Sequence, residues 1–315
     1  MLLDVTVIFP YYNENDTILT TLDLISRQTI LPKEVIFVNS TSSDETSNTI
    51  NDWIKNRQGH FETSFRNIFE GTNNPASSKN VGITNATSSW VAFMDCGLLF
   101  DLDWLEKQWN YTQEHNVHVV SGNVFLVGIG SIDQAAVAQT YGYKRLRPCV
   151  PSTLVKKSVF NETGLFLENR RSGYDVAWQI LLKNLRIERG INEKVIIKYN
   201  GVNFGHSLWY IFKKNILYAK PTVGIKHYYI PYYYLLIFFL ICISFLGFPN
   251  LITPIFLTYF ICRGYLIPIK KSNGILMFST NPFLIFWLPI VAIIIDLGRT
   301  VGIILGFTKY CITKY

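Results

Sequence analysis

Apolar and polar positions along this chain repeat with two periods. The short β-branched run "VTVIFP" (5–10) predicts a strand. In "NDTILTTLDLISRQ" (15–28), Ile18, Leu22 and Ile25 recur at helical spacing, with Asn15 or Asp16 as the cap. The pair then repeats. "EVIFVN" reads as a strand. "SSDETSNTINDWIKN" reads as a helix capped by Ser42 or Ser43, with Ile50, Trp53 and Ile54 inward. "SFRNIFE" is a third strand and "PASSKNVGITNA" a short helix with Pro75 near its start. "WVAFM", "DWLEKQWNYTQEH" and "VHVVSGNVFLV" come next as strand, helix and strand. This alternation predicts an α/β fold with a parallel sheet covered by helices on both faces. From residue 126 the alternation fades. Residues 151–184 read as an antiparallel strand, a turn at Gly164 and a helix starting near Tyr174 and Asp175, with Val176, Ile180 and Leu181 inward.

A second change comes near residue 226. No Asp, Glu, Lys or Arg occurs from Tyr228 through Cys262, nor from Ser272 through Ile295. Residues 1–226 therefore read as a globular domain and 227–315 as a membrane region. Apolar helices are expected at about 228–248 and 251–269, separated by Pro249 and Asn250, with a third at about 282–307. Pro289, Asp296 and Arg299 leave that last segment open to being broken or partly interfacial. Arg263 has to snorkel or face protein. Tyr228, Tyr229, Tyr232, Tyr233 and Tyr234 suit an aromatic belt at a membrane interface. Lys213, Lys214, Lys220 and Lys226 precede the first apolar run, and Lys270 and Lys271 come after the second. The positive-inside bias puts both clusters in the cytoplasm and Asn250 on the opposite face. The start, "MLLDVTVIFP", has no basic n-region, so no signal peptide is expected. The expected location is the inner membrane, multi-pass, with the globular domain cytoplasmic.

Charge and cysteines narrow the partners. The net charge of +7 raises nucleic acid as a ligand, but no basic stripe interleaves with aromatics as a strand-binding groove needs. The five cysteines show no C-x-x-C spacing, which argues against a zinc site or a disulfide framework.

Polar clusters fall where the predicted strands end. The first strand runs into Pro10-Tyr11-Tyr12-Asn13-Glu14, the second into Asn39-Ser40-Thr41-Ser42-Ser43-Asp44, and "WVAFM" into Asp95. In parallel sheets ligands bind beyond the carboxyl ends of the strands, so these three tips predict a site.

Four segments, "VIFPYYNEN", "EVIFVNSTSSDET", "SSKNVGITNATSSWVAFMDCG" and "PSTLVKKSVFNETGLFLENRRSGYDVAW", occur in an order and spacing that resemble the family 2 nucleotide-sugar glycosyltransferases. The resemblance covers roughly residues 4–220 and implies a GT-A fold. It also implies roles for individual residues. Pro10, Asn13 and Glu14 match the first nucleotide-contacting loop. Asn39 and Ser40 match the segment that contacts the base, with Asn39 where an Asp is usual. Lys79 and Asn80 match an Arg-Asn pair near the diphosphate. Asp95 matches the first acid of the Asp-x-Asp element that holds Mg²⁺ or Mn²⁺, and Gly97 stands where the second acid would be. Asp103 reads instead as a helix cap. Restoring an acid at position 97 is expected to tighten donor binding if the pocket has room. Asp175 matches the catalytic base, with Tyr174 replacing the usual preceding Glu, although it also sits where a helix cap would. His206 resembles a His that approaches the diphosphate or metal. The implied reaction is inverting transfer of a sugar from a nucleotide-diphosphate sugar to an acceptor hydroxyl, in surface polysaccharide or lipid-linked glycan synthesis. Two other readings stand beside it: a polyprenyl-phosphate monosaccharide synthase, and a catalytically silent membrane scaffold that kept the fold.

Overall fold

The computed structural model describes residues 2–57, 59, 62–168, 170–202, 205, 207–247, 250 and 252–313. The expected alternation is present from the start. It runs β1 (Leu2–Tyr11), α1 (Ile18–Ser26), β2 (Leu31–Asn39), α2 (Thr46–Asn56), β3 (Ser64–Phe69), α3 (Pro75–Asn85), β4 (Trp90–Phe93), α4 (Trp104–His115) and β5 (Val119–Gly128). Then come α5 (Ser131–Thr140), β6 (Arg147–Pro148), β7 (Leu154–Lys156), α6 (Val159–Thr163), α7 (Tyr174–Asn184), β8 (Arg189–Val202) and α8 (Leu208–Ala219). The apolar part contains α9 (Ile230–Gly247), α10 (Ile252–Ile261), a π-helical turn (Cys262–Leu266), α11 (Ile267–Lys271), α12 (Leu276–Thr280) and α13 (Leu284–Thr313). By its internal contacts the chain divides into one unit of residues 1–125 and 146–199 and a second of 126–145 and 200–315. Helices α5 and α8 thus belong with the apolar helices.

The first unit is built on one sheet of order β3-β2-β1-β4-β7-β5-β6, with β8 paired to β5. The half from β3 to β4 is parallel. The other half is not a continuation of it: β7 comes between β4 and β5 and runs antiparallel to both. Because side chains alternate across a strand, the sheet has two cores. Val5, Val7, Phe9, Phe37 and Ala92 face one way with α1, α2 and α4. Ile8, Ile36, Val38, Val91 and Phe93 face the other with α3, α6 and α7. On α7 the buried positions are Ala177, Trp178 and Leu182 rather than Val176, Ile180 and Leu181. Trp178 sets that phase by stacking on Phe160, with ring centroids 5.7 Å apart.

Among the described residues of the second unit, two helices are long and apolar enough to cross a membrane, Ile252–Lys271 and Leu284–Cys311. Pro289 lies inside α13, yet the helix is continuous through it and through Asp296 and Arg299. Gly298, Gly302 and Gly306 form a stripe against α8. A Cβ on each would lie 2.7, 2.6 and 2.5 Å from the carbonyl oxygens of Phe212, Ile216 and Lys220. Such small-residue stripes let helix backbones approach closely. Replacing Gly302 by Val should therefore force the two helices apart and cost about 1–3 kcal/mol, which thermal unfolding of the detergent-solubilised protein would read.

The expected interior charge is paired. Arg263 Nε lies 2.7 Å and its Nη2 2.9 Å from the two Asp296 oxygens. Tyr234 and Tyr259 also donate to Asp296, at 2.9 and 3.0 Å. Gln139, fully buried on α5, accepts from Arg263 Nη1 and donates to the carbonyls of Gly264 and Leu288. Arg263 therefore faces protein, and Tyr234 turns inward while Tyr229, Tyr232 and Tyr233 are exposed. Pro249 lies outside the described residues, so the expected turn there is seen only through Asn250.

Candidate active site

The parallel half of the sheet brings the tips of β1, β2, β3 and β4 to one edge. Pro10 sits at the end of β1 in register with Val38 of β2. Asn13 comes just after it with φ 54, a left-handed backbone that Asn tolerates. Its Oδ1 accepts from the Ser43 N–H at 2.9 Å, and its own N–H donates to Ser42 Oγ at 3.0 Å. Asn39 Oδ1 accepts from the Ser42 N–H at 2.8 Å. Ser42 and Ser43 thus tie the two tips together and do not cap α2, whose N-cap is Glu45; the cap of α1 is Thr17. The Asn39 oxygen is committed to its own loop, and a base at this tip would meet the amide's other end.

Ser40 is buried in a network with little local signature. Its hydroxyl and that of Ser78 converge on Glu70, with Ser78 Oγ 3.1 Å from Glu70 Oε2. Thr72 donates to Glu70 through both its N–H and its hydroxyl. Burial works against the Glu70 charge, but these hydrogen bonds hold its carboxyl below the usual range. An acid one residue past a predicted strand is the available signal, as at Asp95, although β3 is more polar than β4. Asn80 is also a fastening. Its Nδ2 donates to the Phe166 carbonyl at 2.8 Å and to Glu168 Oε1 at 2.9 Å, and its Oδ1 accepts from the Phe166 N–H at 2.9 Å. The Asn80 amide therefore grips the segment that leads into α7 rather than standing free for a diphosphate.

Lys79 is the buried cation at the centre. It is 2% exposed on α3, and its Nζ lies 3.1 Å from Asp95 Oδ1. It also sits 5.8 Å from the centre of the Tyr174 ring. Burial disfavours its charge, yet Asp95 and the Tyr174 hydroxyl outweigh that and hold the ammonium above its ordinary pKa. Lys79 is thus a fixed positive charge linking the β4 tip to the start of α7. Burial raises the Tyr174 hydroxyl; Lys79 opposes this, and the nearby Asp95 and Asp175 carboxylates add to it. Both acids therefore lie within electrostatic reach of one phenol.

Asp175 is in the first turn of α7, but it does not cap the helix. The N-cap is Gly173 at φ 80, with no side-chain capping bond. Among the described residues the Asp175 carboxylate has no hydrogen-bond or ion-pair partner. Asp103, by contrast, occupies the N-cap position of α4 but pairs with Lys107 at 2.8 Å instead of capping. His206 lies outside the described residues.

Gly97 has φ +76, and a Cβ there would lie 3.3 Å from both Glu14 Oε2 and Thr17 Oγ1. A new acid at 97 would crowd both side chains, which would have to give by a few tenths of an ångström. It would carry a left-handed backbone costing about 1–2 kcal/mol and would point its charge at Glu14. Glu14 occupies that space itself, accepting from Thr17 Oγ1 at 2.6 Å. Burial pushes its carboxyl up, Thr17 offsets part of this, and Asp95 and Asp44 add to it. Among the described residues no group of three or more His, Cys, Asp or Glu side chains could hold a metal. Among the described residues, Asp95 and Glu14 are carboxylates at this edge that sense each other's charge.

A mixed sheet with its polar tips gathered at the carboxyl edge of the parallel strands defines a GT-A architecture. The mannosyltransferase PcManGT from Pyrobaculum calidifontis, solved with GDP-Man and Mn²⁺, shares it. The TM-score is 0.56 at 17% identity, covering 100% of this chain and 89% of that one. Residues 6–163 match Glycosyl transferase family 2, and the chain belongs to that family. An uncharacterized glycosyltransferase of Rickettsia bellii is 28% identical over 199 residues, 61% of this chain and 28% of that protein. Glycosyltransferase AglE of Haloferax volcanii is 25% identical over 189 residues, 55% of this chain and 59% of that protein. The chain thus spans under a third of the Rickettsia relative and less than two thirds of AglE.

Proposed function

We infer that this chain is an inverting glycosyltransferase that moves a sugar from a nucleotide-diphosphate sugar to an acceptor hydroxyl. The observation that carries this is the Asp175 carboxylate at the start of α7, without a hydrogen-bond or ion-pair partner among the described residues and next in sequence to Tyr174, whose ring lies 5.8 Å from the Lys79 ammonium. In the proposed step the acceptor oxygen bonds to the anomeric carbon from the face opposite the leaving group. Its proton passes to Asp175, and the bond to the diphosphate breaks with its electron pair leaving on the phosphate oxygen. Asn13, Asn39 and Asp95 hold the donor at the strand tips, and Lys79 supplies a fixed positive charge for the departing diphosphate. The free carboxylate weighs against a silent scaffold, since among the described residues no hydrogen bond or ion pair uses it.

A divalent cation fits the donor set present. Mg²⁺ and Mn²⁺ sites of this kind use one or two carboxylates plus the substrate's phosphates, and Asp95 and Glu14 supply the carboxylates. Bound there, the ion would neutralise charge on the diphosphate. Mn²⁺ titrated with a nucleoside diphosphate and followed by electron paramagnetic resonance should bind the wild-type protein about tenfold or more tighter than Glu14→Gln or Asp95→Asn, because each variant loses one charge-assisted interaction. Transfer that survives strong chelation unchanged would leave phosphate neutralisation to Lys79 alone.

The enzyme reading is tested by incubating purified protein with nucleotide-sugar donors chosen by thermal shift, since bound ligand stabilises by mass action. Release of nucleoside diphosphate that depends on an added acceptor is the expected result. A protein that binds donors and turns none over would be the scaffold.

In the same proposal the apolar helices hold the enzyme in the inner membrane. Lys213 to Lys226 and Lys270–Lys271 face the cytoplasm, and the acceptor is part of a lipid-linked glycan or surface polysaccharide.

A further inference from the structure

The second unit carries a cavity of about 450 Å³ where α9 begins, lined by Lys226, His227, Tyr228, Tyr229, Tyr232 and Tyr310. Its size falls within the roughly 300–1,000 Å³ of ordinary ligand sites. Its chemistry is one-sided. Among the described residues no Asp or Glu lines it, while an exposed lysine, an exposed histidine and four phenols do. Among the described residues Lys226 and His227 have no carboxylate partner. The 18-residue helix α9 begins beside it, but Pro231 has no N–H and the N–H groups of Tyr232 and Tyr233 are taken by the Tyr229 carbonyl, so the charge comes from the lysine and histidine side chains.

The cavity is shaped by backbone that ordinary residues avoid. His227 holds φ 62, uncommon for a non-glycine residue. Gly224 holds φ +78, and a Cβ there would lie 2.7 Å from Tyr310 Cε2. The Tyr310 ring can close over the turn only because residue 224 has no side chain. A strained turn that presents a lysine and a histidine beneath a tyrosine ring suits a ligand with several hydrogen-bond acceptors and negative charge.

The outer face of α9 indicates what carries that charge. Leu236, Ile237, Phe239, Leu240 and Ile243 are 53–59% exposed, and the helix has no charged residue. A phosphate in the cavity therefore lies at the head of a bare apolar track. We propose that this cavity binds the phosphate of a membrane amphiphile. Lys226, His227 and the hydroxyls of Tyr229 and Tyr232 receive the anion, and the apolar chain runs along α9. Tyrosine suits such a place because its ring sits among apolar groups while its hydroxyl reaches the polar layer.

The test needs no sugar donor, so its outcome is independent of the transfer reaction. The full chain in detergent is titrated with dioleoyl phosphatidic acid, with dioleoylglycerol of the same chains, and with inorganic phosphate, and bound species are counted by native mass spectrometry. Phosphatidic acid should bind saturably, about tenfold or more tighter than the diacylglycerol, as expected when the phosphate adds one charge-assisted hydrogen bond. The double variant Lys226→Gln, His227→Gln should remove that advantage. Tyr232→Phe, which deletes a single hydroxyl, should weaken binding by a smaller factor with an unchanged unfolding temperature. Equal binding of the two lipids, or variants that match the wild type, would overturn the proposal. Occupancy by inorganic phosphate as tight as by phosphatidic acid would also overturn it, by assigning the cavity to a soluble anion.

Discussion

Asp175→Asn should leave the protein folded and able to bind its donor while transfer falls on the order of 10²- to 10⁴-fold. An acceptor hydroxyl is a poor nucleophile at neutral pH and needs its proton removed as it attacks. Asn preserves the side chain's shape but cannot take the proton. The substitution is clean because the carboxylate supports nothing else: α7 is capped at Gly173, and Asp175 has no hydrogen-bond or ion-pair partner among the described residues. Donor affinity should persist because the tips ending in Asn13, Asn39 and Asp95 are untouched. The measurements are donor binding by calorimetry and transfer rate under saturating acceptor. Wild-type turnover in a folded Asp175→Asn protein would remove the base assignment and the main argument for an active enzyme.

Arg263→Met should destabilise the second unit by about 3–5 kcal/mol, the usual cost of leaving one member of a buried ion pair without its partner. The two side chains are 13% and 17% exposed and are joined by a bidentate contact, the kind whose loss is felt most. In Arg263→Met, Asp296 keeps its two tyrosine donors but loses its counter-ion, and Gln139 loses the guanidinium that donates to its oxygen. Adding Asp296→Asn removes the stranded charge; its amide oxygen still accepts from one of the two tyrosines, and its NH2 can donate to the hydroxyl oxygen of the other. The double variant should therefore recover most of the loss. Thermal unfolding in detergent gives the comparison, and a double variant no more stable than Arg263→Met would show that the pair is not the source of the cost.

Fold and site differ in how far they can be read from residue order. The β1–α1–β2–α2–β3–α3–β4 run is legible because each element's burial repeats within a few residues. Ile18, Leu22 and Ile25 are all buried as their spacing requires. Caps are less legible, because several Ser, Thr, Asp and Asn residues compete at each helix start. Ser42 and Ser43, plausible caps by type, are drawn off by Asn13 across the neighbouring tip. The inward face of α7 departs from its local pattern by one step. Its phase is set by Trp178 stacking on Phe160, a partner 18 positions away that no local period contains.

The sequence by itself determined that strands and helices alternate, that polar residues cluster where strands end, and that long stretches beyond residue 226 are uncharged. Those properties are written in local order, since periodicity and turn chemistry act over a few residues. An antiparallel strand in 151–184 is expected from local order, but only the tertiary structure decided that β7 lies between β4 and β5, because strand pairing depends on closing long loops and leaves no local mark. It also decided that Asn80 grips residues 166–168, that Glu14 fills the space beside Gly97, and that Arg263 meets Asp296. Each of these joins residues 33 to 88 positions apart. The type of residue shows what such a group can bond to, and only the packed fold brings one of several possible partners within reach.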